Sequence, residues 1–563
     1  MAPRYALVPD QHGPGGRLQP LTEDGTPLGP PEHVPALAAA VAEREVADRP
    51  RWVFAATDGA YAPLLPVRLA RSHDLRLTEP LLLGQEGRFG EPRSLGAAWA
   101  RLRGLPVPAD LPESAAEDDQ DGLFAPDRLQ LPPGTDALEA VVAVHAEQLR
   151  RTAAIADPAE RHRFRLLAAA ESAGGLLAAE MARDGLPWRS DLHDRLLTEL
   201  LGPRPQVPGA PPRRLAELAA ELQRSLGGRP FNPDSHGQVL RAFADRGIQL
   251  GSTRSWELRR VDHPAAELMI RYKELSRLHA AHGWAWQAAW ARNGRFRPEY
   301  VVGGVVSGRW ATRGGGALQI PRILRRAVVA DPGWSLVVAD AAQLEPRVLA
   351  ALSGDASLAR TAAQGDLYEA LAATAFHGDR SKAKLGLLGA MYGQTSGDIG
   401  PLLATLRRRY PAAMGYVEAA ARTGEDGGVV RSRLGRTCPP PSADWLDLTE
   451  APETAGEAGG RSARARGRFT RNFVIQASAA DWALALLAAL RRRLAALSSG
   501  ADRPHLVFFQ HDEVVVHTPA DLADRVAEEV AGAAEEARLL VFGDTPVRFP
   551  MSTTVVDCYA DAK

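Results

Sequence analysis

Several features that mark particular classes of protein are rare or missing in this sequence. Its 563 residues include only two cysteines, which argues against a disulfide framework and against a cysteine-rich structural zinc site. The formal net charge is -1, so any nucleic-acid-binding surface must be local. The apolar stretch near Ala483–Leu490 is too short to span a bilayer, and Met1–Asp10 lacks the layout of a signal peptide. We therefore expect no membrane partner and a cytoplasmic location.

The remaining composition is that of a globular protein, with 45% apolar and 24% charged residues. At about 100–200 residues per domain, the length predicts two to four domains. Residues 1 to about 150 are predicted to form one unit, with a strand at Arg51–Ala55 and helices at Leu75–Leu83 and Ser94–Leu105. The acidic segment Asp110–Gly122 is predicted to be a surface loop.

Helical periodicity dominates from Asp136 to about Leu201, and the proline-rich segment Gly202–Pro212 is predicted to be an extended connector. Further helices are predicted at Arg213–Leu226 and Pro264–Trp290, and a long loop is predicted at Cys438–Gly467. Short apolar runs predict strands at Tyr300–Val306, Leu336–Asp340, Leu506–Gln510 and Val514–His517.

Two aspartates adjoin apolar segments that are typical of buried strands. Asp340 follows Trp334–Ala339, and Asp512 lies between Leu506–Gln510 and Val514–Val516. Magnesium is usually bound through one or two carboxylates plus substrate phosphates, and two ions about 4 Å apart can activate a hydroxyl and stabilise a leaving pyrophosphate. The pair suits such a site, although an isolated aspartate at a strand end is more often a turn residue.

A cationic segment lies between these aspartates. Arg380, Lys384, Leu388 and Tyr392 recur at every fourth residue, so they would form one stripe along a helix that ends at Gly393. The arginine fork and the lysine suit phosphate oxygens, and the apolar end offers a surface on which a base can stack. The alternative for this segment alone is an ordinary amphipathic helix with a solvated basic start.

A polar stripe precedes Asp481. Arg468, Asn472 and Gln476 stand four residues apart on one helical face, and the arginine-rich segment Arg461–Arg466 is predicted to be a loop that adds positive charge. Hydrogen-bond donors at this spacing can contact the minor-groove acceptors that all base pairs present. A solvent-exposed polar face is the alternative.

In this order, the segments resemble the motifs of family A DNA polymerases, the bacterial DNA polymerase I type. Val338–Arg347 resembles motif A, Arg380–Gly393 resembles the fingers helix of motif B, and Gln510–Glu513 resembles motif C. Further resemblances are to the thumb segment and to the primer-contact stretch, at Phe231–Leu240, Ser307–Arg309 and Leu318–Pro321. The resemblance covers roughly residues 155–563.

The resemblance implies a role for each matching residue. Asp340 and Asp512 would hold two catalytic Mg²⁺ ions, which Mn²⁺ could replace, and Glu513 would lie beside them. Arg380 would bind the triphosphate of the incoming nucleotide. Lys384 would also contact the triphosphate and protonate the departing pyrophosphate.

Other matching residues would contact the nucleotide or the DNA. Glu345 would act as the steric gate against a ribose 2′-hydroxyl, close to Tyr392 near the sugar pocket. Gln343 would line the nascent base pair, and Leu388 occupies a position that is usually aromatic. The residues expected to contact primer-template DNA are Arg309, Arg468, Asn472, Gln476 and His511.

The motifs also depart from the family pattern. Leu388 predicts weaker stacking over the incoming nucleotide, and Tyr368 stands where the family has a histidine that can touch the triphosphate. Ala341-Ala342 replaces the usual Tyr-Ser, and Pro346 replaces the usual leucine. These changes indicate a divergent branch, and the residues expected to be essential are all present.

The region before the polymerase occupies the place of a proofreading 3′–5′ exonuclease. The expected Asp-x-Glu after the first strand, taken as Trp52–Phe54, is absent, as is the later Tyr-x-x-x-Asp, since Val141–Leu149 supplies only His145 and Glu147. His73–Leu75 resembles a structural stretch. We expect a degenerate, ribonuclease H-like exonuclease domain without proofreading, and no 5′-nuclease domain.

The sequence thus predicts an α/β (α+β) right-hand polymerase with palm, fingers and thumb behind the exonuclease-type domain. The expected limits are 1–150 for the exonuclease-like domain and 151–563 for the polymerase, with the thumb at about 186–290, the palm at about 296–360 and 490–563, and the fingers at about 361–470. The expected activity is DNA-templated addition of deoxynucleoside triphosphates to a primer 3′-hydroxyl. The alternatives are a catalytically silent DNA-binding scaffold and, with less support, a metal-dependent nuclease. The sequence does not identify any protein partners, which are unknown.

Overall fold

The structure, a computed structural model, describes residues 3–562 except 112–128, 208, 364, 394–398, 451–455, 499 and 501. Most of the predicted loop Asp110–Gly122 therefore lies outside the described residues. Contacts divide the chain into two compact units. The first comprises Met1–Arg183, Tyr300–Ala311 and Ala339–Thr554, and the second comprises Asp184–Glu299, Thr312–Val338 and Val555–Lys563.

The N-terminal part of the first unit combines a five-stranded sheet with helices. Its elements are β1 (Arg4–Pro9), β2 (Gly16–Leu21), β3 (Glu32–Val34), α1 (Leu37–Asp48), β4 (Arg51–Phe54), α2 (Thr57–Ala60), β5 (Arg71–Asp74), α3 (Leu75–Gln85), α4 (Leu95–Arg103), α5 (Ala137–Ala153) and α6 (Pro158–Asp184). The predicted helices at 75–83 and 94–105 are confirmed with small shifts at their ends. Asp74, Ser94 and Asp136 cap the N-termini of α3, α4 and α5 with side-chain oxygens.

The five strands are ordered β3-β2-β1-β4-β5. β1 is antiparallel to β2 and parallel to β4, which is parallel to β5. Apolar side chains cover both faces, which explains the continuous apolar run Trp52–Phe54 in β4. The prediction that Arg51–Ala55 is the first strand is wrong, because β1–β3 precede it. β3 has only three residues, and Pro9 in β1 and Pro20 in β2 weakened the signals of the other two.

The second unit is mostly helical. Its elements are β6 (Leu186–Pro187), α7 (Ser190–Leu201), α8 (Arg213–Ser225), α9 (His236–Ala244), α10 (Ser255–Leu258), α11 (Pro264–His282), α12 (Trp284–Trp290), β7 (Ala291–Arg292) and β8 (Arg295–Phe296). The predicted helices are confirmed, with Gly283 dividing α11 from α12. Aromatic rings of Trp188, Trp286 and Phe296 form part of the core.

The remaining elements carry the predicted functional residues. They are β9 (Glu299–Val301), β10 (Ala311–Arg313), β11 (Trp334–Ala341), α13 (Leu344–Ser353), α14 (Ala356–Ala363), α15 (Leu367–Ala375), α16 (Arg380–Tyr392), α17 (Ile399–Arg409), α18 (Pro411–Glu425), α19 (Ala443–Glu450), α20 (Gly456–Leu497), β12 (His505–Gln510), β13 (Glu513–Pro519), α21 (Ala523–Phe542) and β14 (Met551–Val556). The predicted strand Tyr300–Val306 is wrong beyond Val301, where Gly304 N donates to Val301 O in a turn.

A four-stranded sheet, ordered β12-β13-β11-β14, contains the predicted catalytic strands. β12 and β13 form an antiparallel hairpin that closes at the pair Gln510 and Glu513. Residues 335–339 of β11 and 506–509 of β12 are buried, as their apolar runs predict.

Helix α20 corrects the prediction of a long loop at Cys438–Gly467. Residues 443–450 form α19, and α20 already begins at Gly456, so the arginine-rich segment 461–466 is helical and is not a loop. Gly467 permits close packing, because a Cβ there would lie 3.0 Å from Ala421 O of α18. Residues Gly459–Leu497 are long and apolar enough to cross a membrane, but 89% of the apolar window is buried, as in the core helix of a globular protein.

Candidate active site

Backbone pairing brings the two predicted metal-binding positions together. Asp340 is the penultimate residue of β11, and Asp512 lies in the two-residue turn between β12 and β13. The backbone N–H of Ala341 donates to the carbonyl oxygen of Asp512 at 3.0 Å. Both aspartates are half-buried. Strand pairing fixes their backbone, and their side chains remain partly accessible to solvent.

The turn that carries Asp512 is tightly constrained. His511 adopts a left-handed backbone conformation with φ of 57°, which a two-residue hairpin turn requires and which histidine tolerates better than most residues. Partial burial, and then the charge of Arg309, lower the pKa of His511. The next residue, Glu513, is buried at the start of β13. The turn therefore presents His511 and Asp512 and keeps Glu513 inside.

Helix α16 has the bounds that the sequence predicts because both ends are capped. Asp379 accepts a hydrogen bond from Lys382 N at 2.9 Å, and Gly393 ends the helix with φ of 68°. One face, formed by residues such as Ala383, Leu387 and Ala390, is buried. On the other face, the stripe predicted from the sequence is accessible: Arg380 and Lys384 are exposed, and Leu388 and Tyr392 are half-buried.

Arg380 is held by two residues at the start of α15. Its guanidinium donates to Asp366 at 2.8 Å and lies over the ring of Tyr368, 5.6 Å from the centroid. Partial burial opposes ionisation of Asp366, but its hydrogen bond and attraction to Arg380 outweigh this effect and lower its pKa. Burial, and then the nearby charge of Glu345, raise the pKa of Tyr368 to about 12.

Glu345 links two other predicted site residues. One carboxylate oxygen accepts from the hydroxyl of Tyr392 at 2.6 Å, and the other accepts from Arg309. Burial raises the pKa of Tyr392, and the adjacent Glu345 carboxylate raises it further, so Tyr392 acts here as a hydrogen-bond donor. The three residues come from α13, α16 and the segment before β10, and their contact fixes α16 against the strand-end site.

Gln343 makes a hydrogen bond to the start of α15 that could not be predicted from the sequence. It has a left-handed backbone at the start of α13, and its side-chain oxygen accepts from Leu367 N at 2.9 Å. The neighbouring Arg347 is buried and donates to the carbonyl oxygens of Ala342, Arg548 and Gly365. These residues join the strand-end site to the start of α15, where Asp366 holds Arg380.

The polar stripe on α20 is the accessible edge of a buried helix. Arg468 is exposed and Asn472 and Gln476 are half-buried, whereas residues 473–475 and 477–487 are buried. The stripe lies next to the end of α16, because a Cβ at Gly393 would be 2.8 Å from Cγ of Arg468. The structure thus brings Arg468 close to the end of motif B.

Asp366 is the site residue that sequence reasoning missed. Its other carboxylate oxygen accepts from Glu369 N at 2.9 Å and so caps α15. The pattern Asp366-x-x-Glu369 before an apolar run is a helix-start signature, but it does not reveal the partner of Arg380 fourteen residues later.

The donor set at the strand ends fits a cation that binds together with a substrate. Among the described residues, no group of three or more His, Cys, Asp or Glu side chains is placed to hold a metal ion. Asp340 and Asp512 nevertheless supply hard oxygen donors at adjoining backbone positions. Mg²⁺ commonly uses one or two carboxylates and takes its other ligands from waters and substrate phosphates.

Comparison with solved structures supports this fold. The POL domain of Pol1 from M. smegmatis, in complex with DNA primer-template and dNTP, matches with a TM-score of 0.70 and 17% sequence identity. The match covers 100% of this chain and 96% of that chain. The chain therefore has the fold of that polymerase domain.

Sequence comparison identifies the family. The thermostable DNA polymerase I of Thermus filiformis is 28% identical over 366 residues, which cover 57% of this chain and 42% of that protein. DNA polymerase I of Chloroflexus aurantiacus is 27% identical over 360 residues, covering 56% and 36%. The chain thus spans less than half the length of these curated relatives. The model of DNA polymerase family A matches residues 211–555. The chain belongs to DNA polymerase family A.

Proposed function

We propose that the protein is a DNA-templated DNA polymerase that adds deoxynucleoside triphosphates to the 3′-hydroxyl of a primer. The proposed polymerase region is 151–563, with the thumb at about 186–290, the palm at about 296–360 and 490–563, and the fingers at about 361–470. Its partners would be primer-template DNA and nucleotides, and we place its activity in the cytoplasm.

The observation that carries this proposal is the 3.0 Å backbone hydrogen bond from Ala341 to Asp512. It places two half-buried carboxylates at adjoining strand ends, in the same compact unit as the exposed cations of α16. Phosphoryl transfer depends mainly on positioning and charge neutralisation, which this combination can supply. A site that only bound DNA would have no use for the paired carboxylates.

We assign the binding of two Mg²⁺ ions to Asp340 and Asp512, with Mn²⁺ as a possible substitute. When bound, the ions would favour the alkoxide form of the primer hydroxyl and neutralise charge on the leaving pyrophosphate. The chain's own contribution is to hold the two carboxylates in a fixed relation through β11 and the turn before β13. We assign no ligand role to Glu513, which follows Asp512 and is buried.

The cations of α16 would bind and neutralise the triphosphate. Arg380 offers a planar fork for phosphate oxygens, and Lys384, one turn further on, offers a mobile ammonium group. We also assign to Lys384 the transfer of a proton to the departing pyrophosphate, because it lies on the same accessible face of α16 as Arg380. Leu388 would contact the base and sugar less extensively than an aromatic ring.

Selection of the deoxy sugar is assigned to Glu345. Its carboxylate is fixed by the hydroxyl of Tyr392 at 2.6 Å and by Arg309, so it cannot move aside easily for a ribose 2′-hydroxyl. Gln343 would lie beside the nascent pair while its oxygen holds Leu367. The proposed DNA contacts are made by Arg309, Arg468, Asn472, Gln476 and His511.

We also propose that residues 1–150 form a degenerate exonuclease-like domain without proofreading. Its mixed sheet, with β1 antiparallel to β2 and parallel to β4, suits a ribonuclease H-like fold. β1 contains no acidic residue. The sheet face that packs on α5 carries a cluster of apolar side chains that includes Ala6, Val53 and Val141, none of which can bind a metal.

Primer extension on a defined template with Mg²⁺ tests the function. The wild type should extend the primer, and Asp512→Ala should abolish extension while retaining duplex binding. Shortening of the primer without nucleotides would instead favour a nuclease. Duplex binding with neither extension nor shortening would favour a DNA-binding scaffold. Asp521→Ala, an exposed aspartate in the same unit, is a matched control that should extend normally.

A further inference from the structure

Three arginines form a row across the N-terminal sheet. Arg4, Arg51 and Arg71 are the first residues of β1, β4 and β5, and strand pairing aligns Arg4 with Arg51 and Arg51 with Arg71. Neighbouring strands lie about 4.8 Å apart, and aligned residues of parallel strands project to the same face. The row therefore places three guanidinium groups on one face of the sheet, at the starts of three neighbouring strands.

Two neutral histidines adjoin this row. Arg4 Nη1 lies 3.2 Å from Nε2 of His145 on α5. Because a guanidinium can only donate, Nε2 accepts and the ring proton resides on Nδ1. His145 is fully buried, and its Nδ1 has no hydrogen-bond partner. The ring of His73, two residues after Arg71, lies 4.5 Å from that of His145. The row thus borders a buried donor that the protein leaves unused.

The arginines of the row have no carboxylate partner within the part of the chain that the structure describes. Arg51 donates to the carbonyl oxygen of Ser72 at 2.9 Å, and Arg71 donates to that of Arg49. Burial, followed by repulsion from Arg4 and Arg71, lowers the pKa of Arg51 to about 10.

Both acidic and basic side chains lie near Arg4. Burial lowers the pKa of Arg4, attraction to Glu23 opposes that change, and Arg165 of α6 adds a further positive charge nearby. Asp24 contributes a smaller attraction. Neither acidic residue forms an ion pair with Arg4, so the excess of positive charge remains.

Two arginines elsewhere in the same unit are neutralised by buried acids. Arg491 donates to Glu180 at 2.6 Å, and Arg436 donates to Glu171. Charges removed from water are normally paired in this way, because desolvation is costly and like charges repel at short range. Lack of an acidic partner is not decisive alone, since the buried Arg347 donates to backbone carbonyl oxygens instead. Arg4, Arg51 and Arg71 differ because they lie side by side and repel one another, and because Arg71 is exposed, so an anion from outside the chain can reach the row and relieve that repulsion.

We propose that Arg4, Arg51 and Arg71 form a phosphate-binding site in the N-terminal sheet, separate from the polymerase site. Planar guanidinium forks match phosphate oxygens, and three of them suit a multiply charged ligand better than a single carboxylate. The phosphate groups come either from a free polyphosphate or nucleotide or from the backbone of a nucleic-acid strand. The site shares no residue with the proposed polymerase activity.

Calorimetric titration with inorganic tripolyphosphate tests this site. The titration uses the full chain carrying Arg380→Ala and Lys384→Ala, which removes the proposed nucleotide-binding cations. In this background, added Arg71→Ala should weaken binding about tenfold, or about 1.4 kcal/mol, because it removes one charge-assisted hydrogen bond to phosphate. Arg71 is exposed, so its removal is compatible with folding. Arg4→Gln is the second variant and should weaken binding similarly.

Arg76→Ala is the matched control. Arg76 is an exposed arginine of the same region, and it is paired with Asp58 at 3.4 Å. Its removal changes net charge equally and should leave the affinity unchanged. Equal binding by all the variants, or no binding at millimolar tripolyphosphate, would overturn the proposal.

A competition experiment then distinguishes the two phosphate sources. A short single-stranded oligonucleotide that displaces tripolyphosphate, with the same sensitivity to Arg71→Ala, identifies a strand backbone as the ligand. Failure of the oligonucleotide to displace it identifies a free polyphosphate or nucleotide, and both results retain the site. Primer extension by Arg71→Ala in the wild-type background should be normal, so failure of this proposal is separable from failure of the polymerase assignment.

Discussion

Under the proposed function, the ion pair between Arg380 and Asp366 should weaken the binding of a nucleoside triphosphate. The two side chains are 49% and 27% exposed, and their charged groups are 2.8 Å apart. A triphosphate that engages Arg380 must weaken this pair or share the guanidinium with it. Asp366→Asn removes the competing charge but keeps an oxygen that can cap α15, because asparagine is as good an N-cap as aspartate.

The size of the effect follows from the exposure of the pair. Exposed ion pairs contribute about 0.2–1 kcal/mol, so their removal should lower the KM for the nucleotide about 1.5- to 5-fold. The effect should shrink as salt is added, because salt screens exposed charges. The kcat should change little, since Asp366 contacts Arg380 and the backbone of α15 rather than the proposed reacting groups.

Single-nucleotide incorporation, measured across nucleotide concentrations at low and high salt, is the appropriate assay. Asp379→Asn is a matched control, because Asp379 also caps a helix and pairs with an exposed cation, Lys382, at 3.3 Å. It should leave the KM nearly unchanged. A KM that rises in Asp366→Asn would refute the competition and indicate that Asp366 orients Arg380 for binding. A KM that falls equally in the control would also refute it, because the effect would then come from the loss of one negative charge.

Three further substitutions test other parts of the structure. In denaturant unfolding, Gly308→Ala should destabilise the protein by about 3 kcal/mol more than Gly90→Ala. Both glycines have a left-handed backbone (φ 84° and 87°), but only at Gly308 would a Cβ displace a buried ion-paired residue, Arg436. Equal losses of stability in the two variants would contradict this prediction. Burial lowers the pKa of His73 from 6.5 to about 4, so the unfolded chain takes up the proton first as the pH falls. Between pH 6.5 and about pH 4, the wild type should lose about 3 kcal/mol of unfolding free energy, and His73→Gln should lose less. Parallel profiles of unfolding free energy against pH for the two proteins would contradict this prediction. Leu388→Phe should lower the nucleotide KM about 2- to 10-fold through added stacking, and an unchanged KM would place residue 388 away from the nucleotide.

Local sequence signals predicted the elements that carry the chemistry. Helix α16 was predictable because its stripe repeats every four residues and Gly393 ends it. The apolar runs of β11 and β12 predicted their burial, and the two predicted strands on either side of Asp512 are confirmed as β12 and β13. In each case, the periodicity and the terminating residue lie within the element itself.

The errors arose where tertiary packing overrides local propensity. Glycines at 459, 460 and 467 indicated a loop, yet Gly467 lies inside α20. The glycine is explained by packing, because α18 lies too close to admit a Cβ at this position. Strands β1–β3 were missed, since their stability comes from the sheet and not from strong local patterns. A sequence pattern describes one segment and cannot reveal such neighbours.

Part of the candidate site was likewise beyond sequence reasoning. The proximity of Glu345 and Tyr392 was expected from the family resemblance, and the structure places them 2.6 Å apart. The pairing of Arg380 with Asp366 and the contact of Gln343 with Leu367 N were not expected, because each depends on how α13, α15 and α16 pack.

The central claim is that Asp340 and Asp512 act on shared cations. The most direct test is a crystal structure with primer-template DNA, an incoming nucleotide and Mn²⁺, in which anomalous scattering locates the ions. Our account predicts manganese bound by both carboxylates and by the triphosphate next to Arg380. Manganese bound to only one aspartate, or away from both, would contradict it.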